Sequence, residues 1–289
     1  MKKILYFIVI AILCACNQSQ KSQSQLPIPN DTLNVKYSDG FRLYYYDDYK
    51  LIEIYNPWVK NEIQQRLYLV SDEYVKTPSD GQKIVVPVQN IAISSSTHVE
   101  FLNLLGELST VKGVCTPHLI YNDDIRSRYA NGNIVSLGDA HNVNLEQLLH
   151  LKPDVYFVAS YNQQDEQAKR LQQSGVNLAF NNEWTEQSLL ARAEWIKFVA
   201  AFYNKEQLAD SLFSQIEGDY LEVSAIAQSV SHRPTVMAGG NFKGTWYMPS
   251  GTSYMGRLFA DAGADYFYKN EASTSASLAL NFETVLNNF

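Results

Sequence analysis

Only three of the 289 residues are cysteine, and two of those, Cys14 and Cys16, lie within the first sixteen. Cys115 alone remains downstream, so no intrachain disulfide framework can staple the folded part, and Cys115 reads as a small buried apolar residue. Basic residues are also short: 23 Lys and Arg stand against 30 Asp and Glu, a net charge of −7. That balance excludes nucleic acid as a partner, because phosphate binding needs a basic face. Catalytic signatures are missing too. There is no nucleophile elbow, phosphate loop or zinc-protease helix, and Asp47-Asp48 and Asp123-Asp124 read as turn acids, so no enzyme is expected. The five histidines are scattered. A protein that binds bare zinc or manganese through three or four converging ligands is therefore only a lesser alternative, and no metal site of the protein's own is assigned.

What is present begins with a leader. MKKILYFIVIAILCAC carries two lysines, an apolar run from Ile4 to Leu13 and small residues ending at Cys16. The run is ten residues, against the roughly 20 that a membrane-spanning helix needs, and the pattern is that of a secretory signal. Leu13 to Cys16 resembles a bacterial lipobox, which implies lipidation at Cys16. Residues 17–30, rich in Gln and Ser, read as a flexible tether. The expected location is extracytoplasmic, in the periplasm or at the cell surface, lipid-anchored to a bacterial membrane.

Hydrophobic residues make up 46% of the chain, enough for a packed core across two domains. Residues 31–80 read as an N-terminal β extension of hairpins, with turns at Ser38-Asp39-Gly40 and Asn56-Pro57 and a tyrosine-rich surface. From 81 to 203, strands alternate with helices of about ten residues, which implies a largely parallel sheet covered on both faces. KIVVPVQNIAIS reads as the first apolar strand, SSST as helix caps and DVYFVAS as a buried strand. Residues 204–231 carry Leu208, Leu212, Ile216, Tyr220, Val223 and Ala227 at helical spacing. Unbroken, they would make a strut about 40 Å long, with Gly218 the one weak point.

Residues 232–289 then repeat the first lobe. SSSTHVEFLNLLG and PSGTSYMGRLFADAG both lead from small hydroxyl residues into an apolar helix that ends at Gly. NLEQLLHLKPDVYF and NFETVLNNF match at Asn144 and Asn281, Glu146 and Glu283, and Leu149 and Leu286. In the first copy a core strand follows; the second stops before one. The second lobe is thus expected to be incomplete at its C-terminal end, since a half-built parallel sheet leaves an unpaired edge.

ISSSTHVEFLNLLGELSTVKGV, VNLEQLLHLKPDVYFV, WTEQSLLARAEWIKF and LALNFETVL, in that order around a long helix, resemble the substrate-binding proteins of ABC importers for iron chelates, haem and cobalamin. The resemblance runs from about Lys83 to Phe289. It implies an α/β fold of two Rossmann-like lobes joined by one long backbone helix, with ligand held between them. The ligand it implies is a metal chelate, a ferric siderophore or haem, with cobalamin next; no other cofactor is expected. It also implies a monomer that delivers its cargo to an ABC permease and its ATPase. In cobalamin-binding members one Glu on the matching helix of each lobe docks on the permease, and the matching positions here are Glu146 and Glu283. Each would otherwise simply be an acid near an Asn-capped helix start.

In such a fold the ligand site lies on loops at the strand ends. The candidates are Ser96, Thr97, His98, Tyr121, His141, Tyr161 and Trp184 in the first lobe, with Trp246, Tyr247 and Tyr254 in the second. Aromatic and hydroxyl groups suit a large, partly polar chelate. His98 and His141, both placed on cleft loops, could ligate iron with an open coordination position or serve as ordinary polar loop residues. Arginines, the usual partners of anionic siderophores, are few in these loops.

Overall fold

The computed structural model describes residues 28–162 and 166–288. The leader, most of the tether and Cys16 lie outside the described residues. Among these residues, no helix is long and apolar enough to cross a membrane.

The N-terminal extension is a five-stranded sheet of β1 (Asp31–Thr32), β2 (Phe41–Tyr45), β3 (Tyr49–Tyr55), β4 (Ile63–Val70) and β5 (Gln82–Val85). The first four strands pair antiparallel, and β5 lies parallel to β4. The stretch expected to be one strand, KIVVPVQNIAIS, is therefore two strands in two sheets. Pro87 lacks an N–H, so the ladder stops at Val86; the chain then turns into β6 (Ile91–Ile93).

The first lobe is built on a wholly parallel sheet in the order β12-β11-β6-β7-β8. Its other members are β7 (Val111–Val114), β8 (Val135–Ser136), β11 (Val155–Val158) and β12 (Leu178–Phe180). Every residue of β6, β11 and β12 is buried. That is why these strands read as unbroken apolar runs: helices cover both faces. The helices are α1 (Thr97–Leu104), α2 (Asp123–Ala130), α3 (Leu145–Leu151), α4 (Glu166–Gln173) and α5 (Leu189–Ala201), with a small hairpin of β9 (Gly138–Asp139) and β10 (Asn142–Val143).

The extension and this lobe share one core, which runs from Leu33 to Phe213. Side-chain hydrogen bonds join them. The Gln65 amide on β4 donates to Leu178 O at 2.9 Å and accepts from Phe180 N at 3.1 Å, so one side chain pairs with the free edge of β12 as a strand would. On α5, the Glu194 carboxylate is fully buried and accepts the backbone N–H groups of Lys36, Tyr37 and Ser38 at 2.7–2.9 Å. Lys197, one turn on, lies 3.4 Å from the same carboxylate. Nearby, Glu186 accepts from Ser38 Oγ, from Gly40 N at 3.0 Å and from Trp195 Nε1 at 2.9 Å. Residue 40 must be glycine because a Cβ there would sit 2.5 Å from the Trp195 ring.

The connecting helix α6 (Glu206–Ser229) runs 24 residues, about 36 Å, without a break at Gly218. The extension grips its first half: Lys50 pairs with Glu206, and Lys36 and Tyr37 both bond Glu217. The second lobe holds its other half. Tyr220 donates to Asp261 Oδ2 at 2.7 Å, and Gln228 donates to Ala260 O at 2.6 Å.

The second lobe contains a parallel pair, β13 (Thr235–Val236) with β16 (Asp265–Tyr266), and an antiparallel sheet of β14 (Gly240–Phe242), β15 (Thr245–Pro249) and β17 (Ser277–Leu280). Helices α7 (Tyr254–Asp261) and α8 (Phe282–Asn288) pack on it around Met248, Tyr266 and Val285. The internal repeat appears in the local geometry. Helices α1 and α7 are each followed by a glycine at φ +72°, Gly106 and Gly263. The Asn144 side chain caps α3 through Gln147 N at 3.0 Å, and Asn281 takes the N–H of Thr284 at 2.7 Å.

Replacing Glu194 by Ala removes the acceptor of three backbone N–H groups and one of the two carboxylates beside the Lys197 ammonium, which keeps Asp210 at 3.0 Å and Asn34 O at 2.8 Å, and is expected to cost about 2–3 kcal/mol of stability. Glu194→Gln, which keeps one acceptor oxygen, should cost visibly less. Urea unfolding followed by far-UV circular dichroism reads both, and equal midpoints for Glu194→Ala and wild type would refute the clamp.

Candidate ligand site between the lobes

The carboxyl ends of the parallel strands point to one side of the first lobe, and three loops there present aromatic rings. The β9–β10 turn carries His141, set by an Asx turn in which His141 N donates to Asp139 Oδ1 at 2.8 Å. Gln167 of α4 clamps this hairpin: its amide donates to Ala140 O at 2.9 Å and accepts from Val143 N at 3.2 Å. The loop after β11 carries Tyr161, and the 3₁₀ turn Glu183–Thr185 after β12 carries Trp184. The Trp184 indole N–H donates to Ser160 O at 3.1 Å, and Asn182 accepts from Ser160 N at 3.0 Å. Together these bonds tie the second and third loops to each other.

The rings fall in a row. His141 and Tyr161 have centroids 4.2 Å apart, and Tyr161 and Trp184 are 5.9 Å apart with planes tilted by 31°. Tyr161 and Trp184 keep 40% and 37% of their surfaces exposed. Such a strip of half-open rings offers face area to a flat or partly apolar ligand while its polar edges stay hydrated.

Arg192 on α5 links this strip to the other lobe. Its guanidinium donates to Trp184 O at 2.6 Å and to Glu186 O at 3.2 Å, and it stacks 3.6 Å from the centroid of the Tyr254 ring at the start of α7. Ser253 caps α7 by accepting from Gly256 N at 3.1 Å, which fixes Tyr254 at the helix start. Sequence reading missed Arg192. The signal for it was an arginine on an otherwise apolar helix, four residues after the Ser188 cap.

His98 does not lie on a cleft loop, as the sequence suggested. It is the second residue of α1 and fully buried, against Phe157 and 3.5 Å from Glu183 Oε2. The helix begins one residue before it and turns its side chain inward. Burial alone would raise the Glu183 carboxyl. The neighbouring His98 ring, with a hydrogen bond from Thr97 Oγ1, outweighs that and holds it below the usual carboxylate range. Ser96, the N-cap of α1, and Thr97 are exposed at the rim.

The remaining candidates are dispersed. Tyr121 stands 81% exposed on the loop after β7. Trp246 packs inside its own lobe, with its ring 6.4 Å from Phe282 and its N–H toward Ala238 O. Tyr247 follows on the opposite face of β15 and is exposed. Glu146 and Glu283 are exposed in the first turns of α3 and α8, and among the described residues neither enters an ion pair. Cys115 is buried, its sulfur 3.4 Å from Tyr156 Oη, and burial raises its thiol. Among the described residues no group of three His, Cys, Asp or Glu side chains converges to hold a metal ion.

Two α/β lobes on one backbone helix, with an aromatic strip facing the joint, define a solute-binding protein of the two-lobed class. A family model described as "Periplasmic binding protein" matches residues 91–288, and the chain belongs to that family. It is 26% identical to an uncharacterized lipoprotein of Methanocaldococcus jannaschii, across 97% of this chain and 75% of that protein. It spans 59% and 56% of the length of two further relatives from that organism. Solved structures share the fold. One is an ABC transporter substrate-binding protein from Listeria monocytogenes, with TM-score 0.54, 19% identity and coverage of 69% of this chain and 72% of that one. The second is a periplasmic heme-binding protein from Pseudomonas aeruginosa, with TM-score 0.53, 18% identity and coverage of 70% and 69%. The third is the triscatecholate siderophore-binding protein FeuA of Bacillus subtilis, with TM-score 0.53, 16% identity and coverage of 75% and 74%.

Because the folded-state pKa of Glu183 is depressed, the stability it contributes is present above the ordinary carboxyl range, about pH 4.3, and is lost as pH falls through the lower folded value. Glu183→Gln is expected to flatten that acid limb relative to wild type. Chemical denaturation repeated between about pH 6 and pH 3 measures it, and parallel curves for the two proteins would contradict the assignment.

Proposed function

We propose that this protein is the extracytoplasmic, lipid-anchored binding component of an ABC importer, capturing a metal chelate between its lobes. The ligand class is a ferric siderophore or haem, with cobalamin as the second choice. The observation that carries this reading is the row His141–Tyr161–Trp184, joined through Arg192 to Tyr254 of the second lobe. The row supplies ring faces for a large chelate, and Arg192 supplies a fixed positive charge beside them. The structural neighbours, which include a heme-binding and a siderophore-binding protein, support the same class. Anchoring at Cys16 follows from the lipobox resemblance and is supported by the lipoprotein description of the archaeal relative.

Capture proceeds with small lobe movement. A single stiff helix resists wide hinging, and here its first half is also held by Lys36, Tyr37 and Lys50 of the extension. Delivery proceeds by docking the exposed Glu146 and Glu283 on basic sites of a permease, whose two halves would meet a matching pair of carboxylates. An ATPase drives the transfer.

Tryptophan fluorescence tests the class directly. Titration with haem, cyanocobalamin, several ferric siderophores, and free zinc and manganese should show tight quenching by one chelate and none by bare metal. Trp184→Phe should remove most of the signal, since Trp246 is packed within its own lobe. A response to bare metal alone would overturn the chelate reading.

For docking, charge reversal at both Glu146 and Glu283 is expected to abolish ATP-linked uptake while chelate affinity stays within about twofold, a difference of ~0.4 kcal/mol. Uptake that survives the double reversal would rule out the docking role.

A further inference from the structure

Strand β4 of the N-terminal extension lies outside the family match, which begins at residue 91. It nevertheless reaches the loops of the ring row. Tyr55 pairs with Ile63 and Ile54 with Gln65, so Gln64 is the extra residue of a β-bulge. A bulge breaks the strict alternation of side chains along a strand. Gln64 and its neighbour Gln65 can therefore both turn to the first lobe, Gln65 to the edge of β12 and Gln64 to the loops beyond the strands.

Gln64 closes a ring of three hydrogen bonds. Its amide N–H donates to Ser160 Oγ at 3.0 Å, and Ser160 N donates to Asn182 Oδ1 at 3.0 Å. The Asn182 amide then donates back to Gln64 Oε1 at 2.9 Å. The oxygen and the nitrogen of both amides are thereby engaged. Ser160 and Asn182 are buried, whereas Gln64 is half-buried. Ser160 immediately precedes Tyr161, and its carbonyl accepts the Trp184 indole N–H. Asn182 O accepts from Thr185 Oγ1 at 2.8 Å, across the turn that carries Trp184. Ser160 and Asn182 thus fix the two loops against each other, and Gln64 fixes the pair against a strand inside a five-stranded sheet.

We propose that Gln64 is a positioning residue for the ligand strip, setting from the extension the placement of Tyr161 and Trp184 that a chelate meets. A strip held in place before binding spares the complex the cost of ordering it. The consequence for affinity rests on the chelate reading above; the consequence for ring placement does not.

Fluorotryptophan labelling of the full chain, read by fluorine NMR, tests it, with the Trp184 resonance assigned through Trp184→Phe. In Gln64→Ala, water can reach both former partners at this half-buried point, so the fold is expected to hold. The Trp195 and Trp246 resonances should stay in place while that of Trp184 shifts or broadens. Gln64→Glu should restore it, because a carboxylate accepts from both the Asn182 amide and the Ser160 hydroxyl. Haem, cyanocobalamin and ferrichrome serve as binding probes. Affinity for whichever binds the wild type should fall about tenfold in Gln64→Ala, the cost of ordering one or two side chains, and return to within about threefold in Gln64→Glu. A Trp184 resonance unmoved in Gln64→Ala, or moved as far in Gln64→Glu, would overturn the proposal. So would an affinity unchanged in Gln64→Ala. Binding of no probe by the wild type would sink the chelate reading, and the Trp184 resonance would still decide the role of Gln64.

Discussion

Much of this molecule depends on one buried carboxylate. Glu194 has no access to water, yet it accepts three backbone N–H groups and lies beside the Lys197 ammonium. An ionised group without those donors could not remain in the core. Its presence therefore fixes where the 36–38 segment runs and so seats the whole N-terminal sheet on α5. From that seat, Lys36, Tyr37 and Lys50 reach α6, and the backbone helix is braced over its first half. The extension is thus part of the scaffold that positions the lobes. The tyrosine-rich sequence read as surface hairpins; its structural weight lies instead in a short loop and three side chains.

The same helix α5 serves the site. Its buried side carries Glu194 and Trp195, and Arg192 leaves the first turn of the helix toward Trp184 and Tyr254. One rigid element therefore holds the extension and aims the cross-lobe contact. Any change at the joint must slide Tyr254 over a guanidinium that two carbonyls already hold in place.

Much of the site could be read from residue order. His141, Tyr161 and Trp184 each follow a strand of a recognisable α/β pattern, and strand ends in such sheets gather on one side. Their assembly into a row followed from the parallel order. His98 shows the limit of that reasoning. A histidine after four small hydroxyl residues looks like a loop residue, but α1 starts at Thr97, and the residue that receives His98 is Glu183, 85 positions later. Arg192 was hidden in the opposite way, inside a helix whose periodicity marks it as core. Nothing within a few residues of either reveals its partner.

By itself the sequence determined the local pieces: the strand–helix alternation, the Asn-capped helices at 144 and 281, the glycine-ended helices before 106 and 263, and the long helix between the lobes. Each is decided by hydrogen bonds and backbone preferences that span four or five residues. Only the tertiary structure decided that KIVVPVQNIAIS divides between two sheets, that Trp246 turns into its own lobe, and that Gln65 closes the edge of β12. Those outcomes depend on which distant surface excludes water from each side chain, and burial is a property of neighbours that the chain brings together only when it folds.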